Sequence, residues 1–139
     1  MSEAQKPTCL AMVLCDAVHR DGGNGKFFIM GTFDRVTGKT EPIQAQFAIY
    51  CAMTEFVGRT GIQVRFVDSS ADLSDDESWE VNLPPTPMEI VSDDPNRIVE
   101  AAMGVRISFP KAGLYLCQLV ADGDSIVQRR IVVVTKKQE

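Results

Sequence analysis

Hydrophobic and polar residues take turns along most of this chain, and no stretch sustains helical spacing. Between Ile98 and Phe109, Val99, Ala101, Met103, Val105 and Ile107 are interleaved with Glu100, Arg106 and Ser108. Successive side chains of a strand point to opposite faces, so a period of two predicts a half-buried strand. Gln46 to Thr54 repeats the pattern with Phe47, Ile49, Cys51 and Met53 on one face. Gly61 to Asp68 does so with Ile62, Val64 and Phe66 inward, after a turn at Gly58 to Gly61. Cys9 to Val18 is apolar nearly throughout, which suits a strand covered on both faces. Lys26 to Val36 alternates again, with Phe27, Ile29, Gly31 and Phe33 on one side. Between these two lies Arg20-Asp21-Gly22-Gly23-Asn24-Gly25, rich in residues that tolerate positive φ, so the pair reads as a hairpin. Leu114 to Ala121 and Ser125 to Thr135 flank Asp122-Gly123-Asp124, a strong hairpin signal. The one helical expectation is a turn or two near Thr54 to Arg59.

Seven to nine short strands with regular turn punctuation predict a single antiparallel β-sandwich, immunoglobulin-like in its corner chemistry. The corner is carried by Pro110, Gly113 and Tyr115, in the segment Phe109-Pro110-Lys111-Ala112-Gly113-Leu114-Tyr115-Leu116-Cys117. A Tyr near a strand start, two residues before Cys, turns its hydroxyl back onto the preceding corner in such sandwiches. The domain is expected over residues 9–135, with flexible tails at 1–8 and 136–139. Residues 69–96 break the pattern. From Asp68 to Asn96 there are nine acidic residues, no Lys or Arg, and the run Leu83-Pro84-Pro85-Thr86-Pro87. This stretch reads as a solvated loop, a short edge strand at Trp79 to Leu83, a Pro-rich crossing between sheets, and a second short strand near Met88 to Val91.

The punctuation of these strands resembles that of a family of short bacterial β-sandwich proteins with no assigned activity. The matching residues are Leu14-Cys15-Asp16, Gly25-Lys26, Ile29, Gly31, Phe33-Asp34, Phe66-Val67-Asp68, Phe109-Pro110, Gly113 and Tyr115. The match runs loosely from Cys9 to Val134, and the 69–96 stretch fits it least. The resemblance implies the fold and a bacterial cytoplasmic setting. It transfers no catalytic residue.

Composition narrows the function classes. The chain has 139 residues, 45% hydrophobic, with a net charge of −5 and a pI near 4.9. Its basic residues are scattered, so it lacks the basic stripe of a nucleic-acid binder. The polar start has no signal-peptide core, and no apolar run approaches the roughly 20 residues that span a bilayer. A cytoplasmic protein without a membrane segment is expected. The cysteines at 9, 15, 51 and 117 form no C-x-x-C pair and read as small buried hydrophobes. The alternative is an inter-sheet bridge between Cys15 and Cys117.

Candidate chemistry is sparse, and no cofactor is called for. Asp72, Asp75, Asp76 and Glu77 are the weak candidates for a divalent cation, but they lack the spacing and the Gly of an EF-hand loop. Zinc has less support, since His19 is the single His. Gly22-Gly23-Asn24-Gly25 feeds a strand rather than a helix N-terminus, so it is turn chemistry and not a phosphate cradle. No G-x-S-x-G elbow occurs. With Val18 set opposite Lys26, Asp16 falls beside Phe28 and Asp34 beside Leu10, too far apart for paired-carboxylate chemistry. Pro84 to Pro87 satisfies P-x-x-P without flanking cations and reads as edge protection.

A non-enzymatic protein-interaction or assembly module is therefore the expected function. Its expected partner is another protein or a second copy in a homodimer. Apolar residues lie on both faces of the first strand, Leu10, Met12 and Leu14 against Ala11, Val13 and Cys15. Because a two-layer sandwich covers one face of each sheet, the other set needs a cover. The Ile131-Val132-Val133-Val134 run poses the same question at an edge. Leu10, Met12, Leu14, Ile131 and Val133 are the interface candidates. The alternative function is a small-ligand or divalent-cation binder using the acidic 68–94 stretch.

Overall fold

The computed structural model describes residues 6–69 and 79–136. Nine strands and no helix occur among them. They are β1 (Thr8–Arg20), β2 (Phe27–Thr32), β3 (Arg35–Gly38), β4 (Ile43–Thr54), β5 (Gly58–Asp68), β6 (Glu80–Ser92), β7 (Val99–Phe109), β8 (Gly113–Ala121) and β9 (Asp124–Thr135). Two sheets result, one ordered β2-β1-β4-β7 and the other β3-β9-β8-β5-β6. Side chains from both contribute to one buried cluster, including Met12, Phe47, Met103 and Ile107 from the first and Ile62, Phe66, Tyr115 and Ile131 from the second. In β7 the alternation is unbroken: residues 101, 103, 105, 107 and 109 are buried and 100, 102, 104, 106 and 108 are exposed.

Aromatic rings run through this core from sheet to sheet. Phe47 on β4 meets Phe66 on β5 edge-on at 6.1 Å, and Phe66 meets Phe109 on β7 at 6.2 Å. Phe109 then contacts Tyr115 on β8 at 4.7 Å, and Trp79 leans on both. The Tyr115 ring is fully buried while its hydroxyl donates to the Lys111 carbonyl at 2.7 Å. That bond ties β8 to the corner that precedes it. The β8–β9 reversal uses Asp122 at φ 46 and Gly123 at φ 91, the left-handed pair that a two-residue hairpin requires.

Several boundaries differ from the sequence expectation. Lys26 to Val36 is two strands, not one. β2 ends at Thr32, and β3 pairs in the other sheet, parallel to β9 through Arg35↔Val132 and Gly38↔Thr135. The expected antiparallel character therefore fails at this pair. The switch has a local cause: Gly31 sits at φ 71 under the Asp16 carboxylate, where an added Cβ would lie 2.2 Å from Oδ2. Phe33 then turns against Phe47 at 5.2 Å, and the Asp34 carbonyl accepts from the Val132 N–H. The hairpin register also differs, with Val18 opposite Ile29 rather than Lys26. Asp21 N–H donates to the Lys26 carbonyl and closes the loop early. No helix forms after Thr54; Glu55 at φ 62 makes a tight turn instead.

The second departure is β6. Residues 80–92 form one strand along β5, not two short strands flanking a crossing between sheets. Its register jumps from Val64↔Leu83 to Ile62↔Met88, so the prolines bulge out of the ladder they cannot donate to. Gln63 reaches into the bulge and donates to the Pro84 carbonyl at 2.9 Å.

All four cysteines are free, so Cys15 and Cys117 form no bridge. Burial pushes the Cys51 thiol up to about 12 and the Cys117 thiol higher still. Two predictions follow from this core. Tyr115→Phe removes one hydrogen bond and keeps the ring, so it should cost about 1 kcal/mol, or a thermal midpoint lower by about 3 °C; calorimetry of the two proteins measures this. Because Cys51 and Cys117 hold their protons more tightly folded than unfolded, both resist alkylation near pH 8.5 and label only after denaturant is added. Native stability falls as pH climbs from the free-thiol value of 9.0 towards about 12.

Candidate functional site: the open edges of the four-stranded sheet

The interface candidates separate into two groups. Leu10 is 52% exposed, at the bulge where the β1–β4 register shifts between Cys9 and Ala11. Met12, Leu14, Ile131 and Val133 are all buried in the core. They cover the interior and present nothing to a partner, which corrects their assignment as docking residues. The end of β9 is likewise no free edge, because β3 pairs along Val132 to Thr135. Arg129 closes the gap beside it by donating from Nε to the Met12 carbonyl at 3.2 Å, bridging the two sheets.

Asp72, Asp75, Asp76 and Glu77 lie outside the described residues. The described acids of the same stretch are engaged. Glu89 pairs with Arg59 at 3.4 Å, Glu80 with Arg65 at 3.9 Å, and Asp93 with Arg97 at 3.4 Å. Lys111 lies 3.8 Å from Asp68. Asp94 accepts from the Asn96 N–H, a turn contact. Among the described residues no three His, Cys, Asp or Glu side chains converge on a metal position. Pro110 and Gly113 stand at the corner before β8, and Gly113 opens that strand.

The register sets Asp16 opposite Gly31, since its neighbours Cys15 and Ala17 face Thr32 and Met30. It lines a shallow depression with Arg35, Thr37, Gln44 and Gln46. A second depression is lined by Gln44, Gln46, Arg106 and Ser108. His19 packs beside Phe28, its ring 6.4 Å away.

What the structure adds is an asymmetry among sheet edges. One edge of the five-stranded sheet is β3, only four residues long; the other is β6, with Pro84, Pro85 and Pro87. Short strands and prolines both blunt an edge against strand addition. The four-stranded sheet ends in β2 and β7, and neither contains proline. On β2, Phe28 is 50% exposed, Ile29 38% and Met30 49%. Phe27 is better covered, lying 5.6 Å from Tyr50 with the Arg20 guanidinium over its ring. Phe27-Phe28-Ile29-Met30 is apolar at four consecutive positions, so one face of it had to lie open on an edge strand. That run is the signal by which the sequence alone would have found this surface.

At the other edge, β7 pairs with β4 without a register shift from Met53↔Val99 to Ile43↔Phe109. Tyr50 on β4 donates its hydroxyl to Glu100. Burial and this contact with Glu100 push the Tyr50 phenol up to about 12, so it remains a neutral donor at ordinary pH. Arg106 forms no ion pair among the described residues.

Comparison with known proteins adds a family and little else. No curated protein matches the chain. A solved structure of β-glucosidase from Listeria innocua in complex with glucose is similar over 73% of this chain, with 10% identity and a TM-score of 0.45. The match spans 15% of that chain's length and carries no argument here. No helix among the described residues is long and apolar enough to cross a membrane. A family model fits residues 10–134, nearly the whole of the two sheets, and the chain belongs to that family, the family of unknown function DUF6941.

Proposed function

We propose that this protein is a non-enzymatic interaction module that binds protein partners at the open β2 edge of its four-stranded sheet. The observation that carries this reading is the exposure of Phe28, Ile29 and Met30 on a strand with one unpaired edge. An edge strand offers a row of unpaired N–H and C=O groups, and an extended segment of a partner adds to it as one more strand. Backbone bonds supply affinity in that mode, and side chains flanking the edge supply selectivity. Phe28 and Met30 on one face and Ile29 on the other suit a partner segment that is itself apolar at alternate positions.

The scaffold under this edge is read as a β-sandwich with immunoglobulin-like corner chemistry. The shared core of the two sheets supports that reading, as does the hydroxyl of Tyr115 bonded to Lys111 two residues before Cys117. Four unpaired thiols suit a reducing compartment such as the bacterial cytoplasm.

The test is affinity capture from bacterial lysate with the wild-type chain and the variant Phe28→Lys/Met30→Lys, both checked for unchanged far-UV circular dichroism. Lysine on an edge strand opposes strand addition while leaving the core intact. A partner retained in stoichiometric amount by the wild type and lost from the variant is the expected result. Equal retention by both, or none by either, removes the β2 edge as the working surface.

A further inference from the structure

We infer that β7, the opposite edge of the same sheet, pairs antiparallel with β7 of a second copy about a two-fold axis at Met103. This rests on the reading of the module as one that works through sheet edges, and it names the partner for the second edge. β4 is the one strand that pairs with β7 among the described residues. β7 is eleven residues long, unbulged, and without proline or lysine, so of the usual guards on a free edge it carries only the two charges Glu100 and Arg106, which are of opposite sign.

The strand is complementary to itself. Keep both cores on the same side of the joined sheet and centre the pair on Met103. Glu100 then faces the second copy's Arg106, and Arg106 faces its Glu100. Ala102 faces Gly104, and a Cβ on Gly104 would meet nothing within 4 Å, so the centre is uncrowded. On the inner face Ala101 meets Val105, Val99 meets Ile107, and Met103 meets its own copy. Ala101 at 9% and Met103 at 8% are the most exposed of the buried β7 residues, and the pairing covers both. Any other symmetric register that keeps the faces aligned loses these charge pairs. Centring on Glu100 or Arg106 sets like charges against each other, and intermediate centres oppose each charge to a neutral residue. Opposite charges directly across a ladder stabilise it and like charges destabilise it. Tyr50 already holds the Glu100 carboxylate on the outer face of the sheet.

The test is the mass of the full chain by light scattering after size exclusion, across a concentration series. Wild type should run as a dimer of the 15.3 kDa chain. Glu100→Lys and Arg106→Glu each turn both attractive pairs repulsive, and each should raise the dimer dissociation constant by about tenfold or more. The double variant Glu100→Lys/Arg106→Glu restores opposite charges and should recover the dimer, which a merely misfolded single variant would not do. A wild type monomeric throughout, a dimer indifferent to both swaps, or no recovery in the double variant overturns the inference. The two readings fail separately. Monomeric wild type with β2-dependent capture removes only the self-pairing. A swap-sensitive dimer without such capture removes only the β2 surface.

Discussion

The aromatic column from Phe47 through Phe66 and Phe109 to Tyr115 is the contact on which the rest of the molecule depends. Its members come alternately from β4, β5, β7 and β8, so each ring contact is also a contact between the two sheets. Edge-on aromatic pairs add about 0.5–1.5 kcal/mol beyond the area they bury. They also set spacing, because a ring wedged between two others holds the facing strands at one separation. Phe33 extends the column at one end and Trp79 covers the other. The strand edges take their positions from the strands that this packed interior holds together.

Much of the fold was legible in the chain. β4, β5 and β7 alternate, a local property that a one-faced sheet imposes on its own strands, and β8 and β9 are marked by the Asp122-Gly123 turn between them. What stayed illegible is what depends on distant residues. In Lys26 to Val36 the alternation of Phe27, Ile29, Gly31 and Phe33 runs straight through Thr32, so it gives no sign of the change of sheet that follows as the Gly31 backbone bends beneath Asp16. β6 was obscured because prolines argue against a ladder, and only the bulge opposite Gln63 reconciles them with one continuous strand. Met12, Leu14, Ile131 and Val133 could be recognised as apolar and not as inward. When both parities of a strand are apolar, the choice of face belongs to the neighbours across the core.

The candidate surface was legible only in part. Interaction through a sheet edge was expected from apolar surplus on β1 and β9, and the structure buries Met12, Leu14, Ile131 and Val133 of that surplus in the core while leaving Leu10 exposed. The exposed remainder lies on β2, a strand whose apolar run was hidden by reading it with an alternating register through Gly31. Glu89 and Asp93 face arginines, and the buried Cys51 thiol keeps its proton.

Guarded and unguarded rims are distributed by layer. Short β3 and proline-bearing β6 terminate one layer on both sides, while β2 and β7 leave the other unfinished at both ends. Assembly by strand addition at those rims would therefore extend in a single direction, as a ribbon made of the four-stranded layer alone, with the five-stranded layer riding along one side as ballast. A two-fold join at one rim would stop that ribbon at two units and leave two identical rims pointing outward, a pair bivalent by geometry.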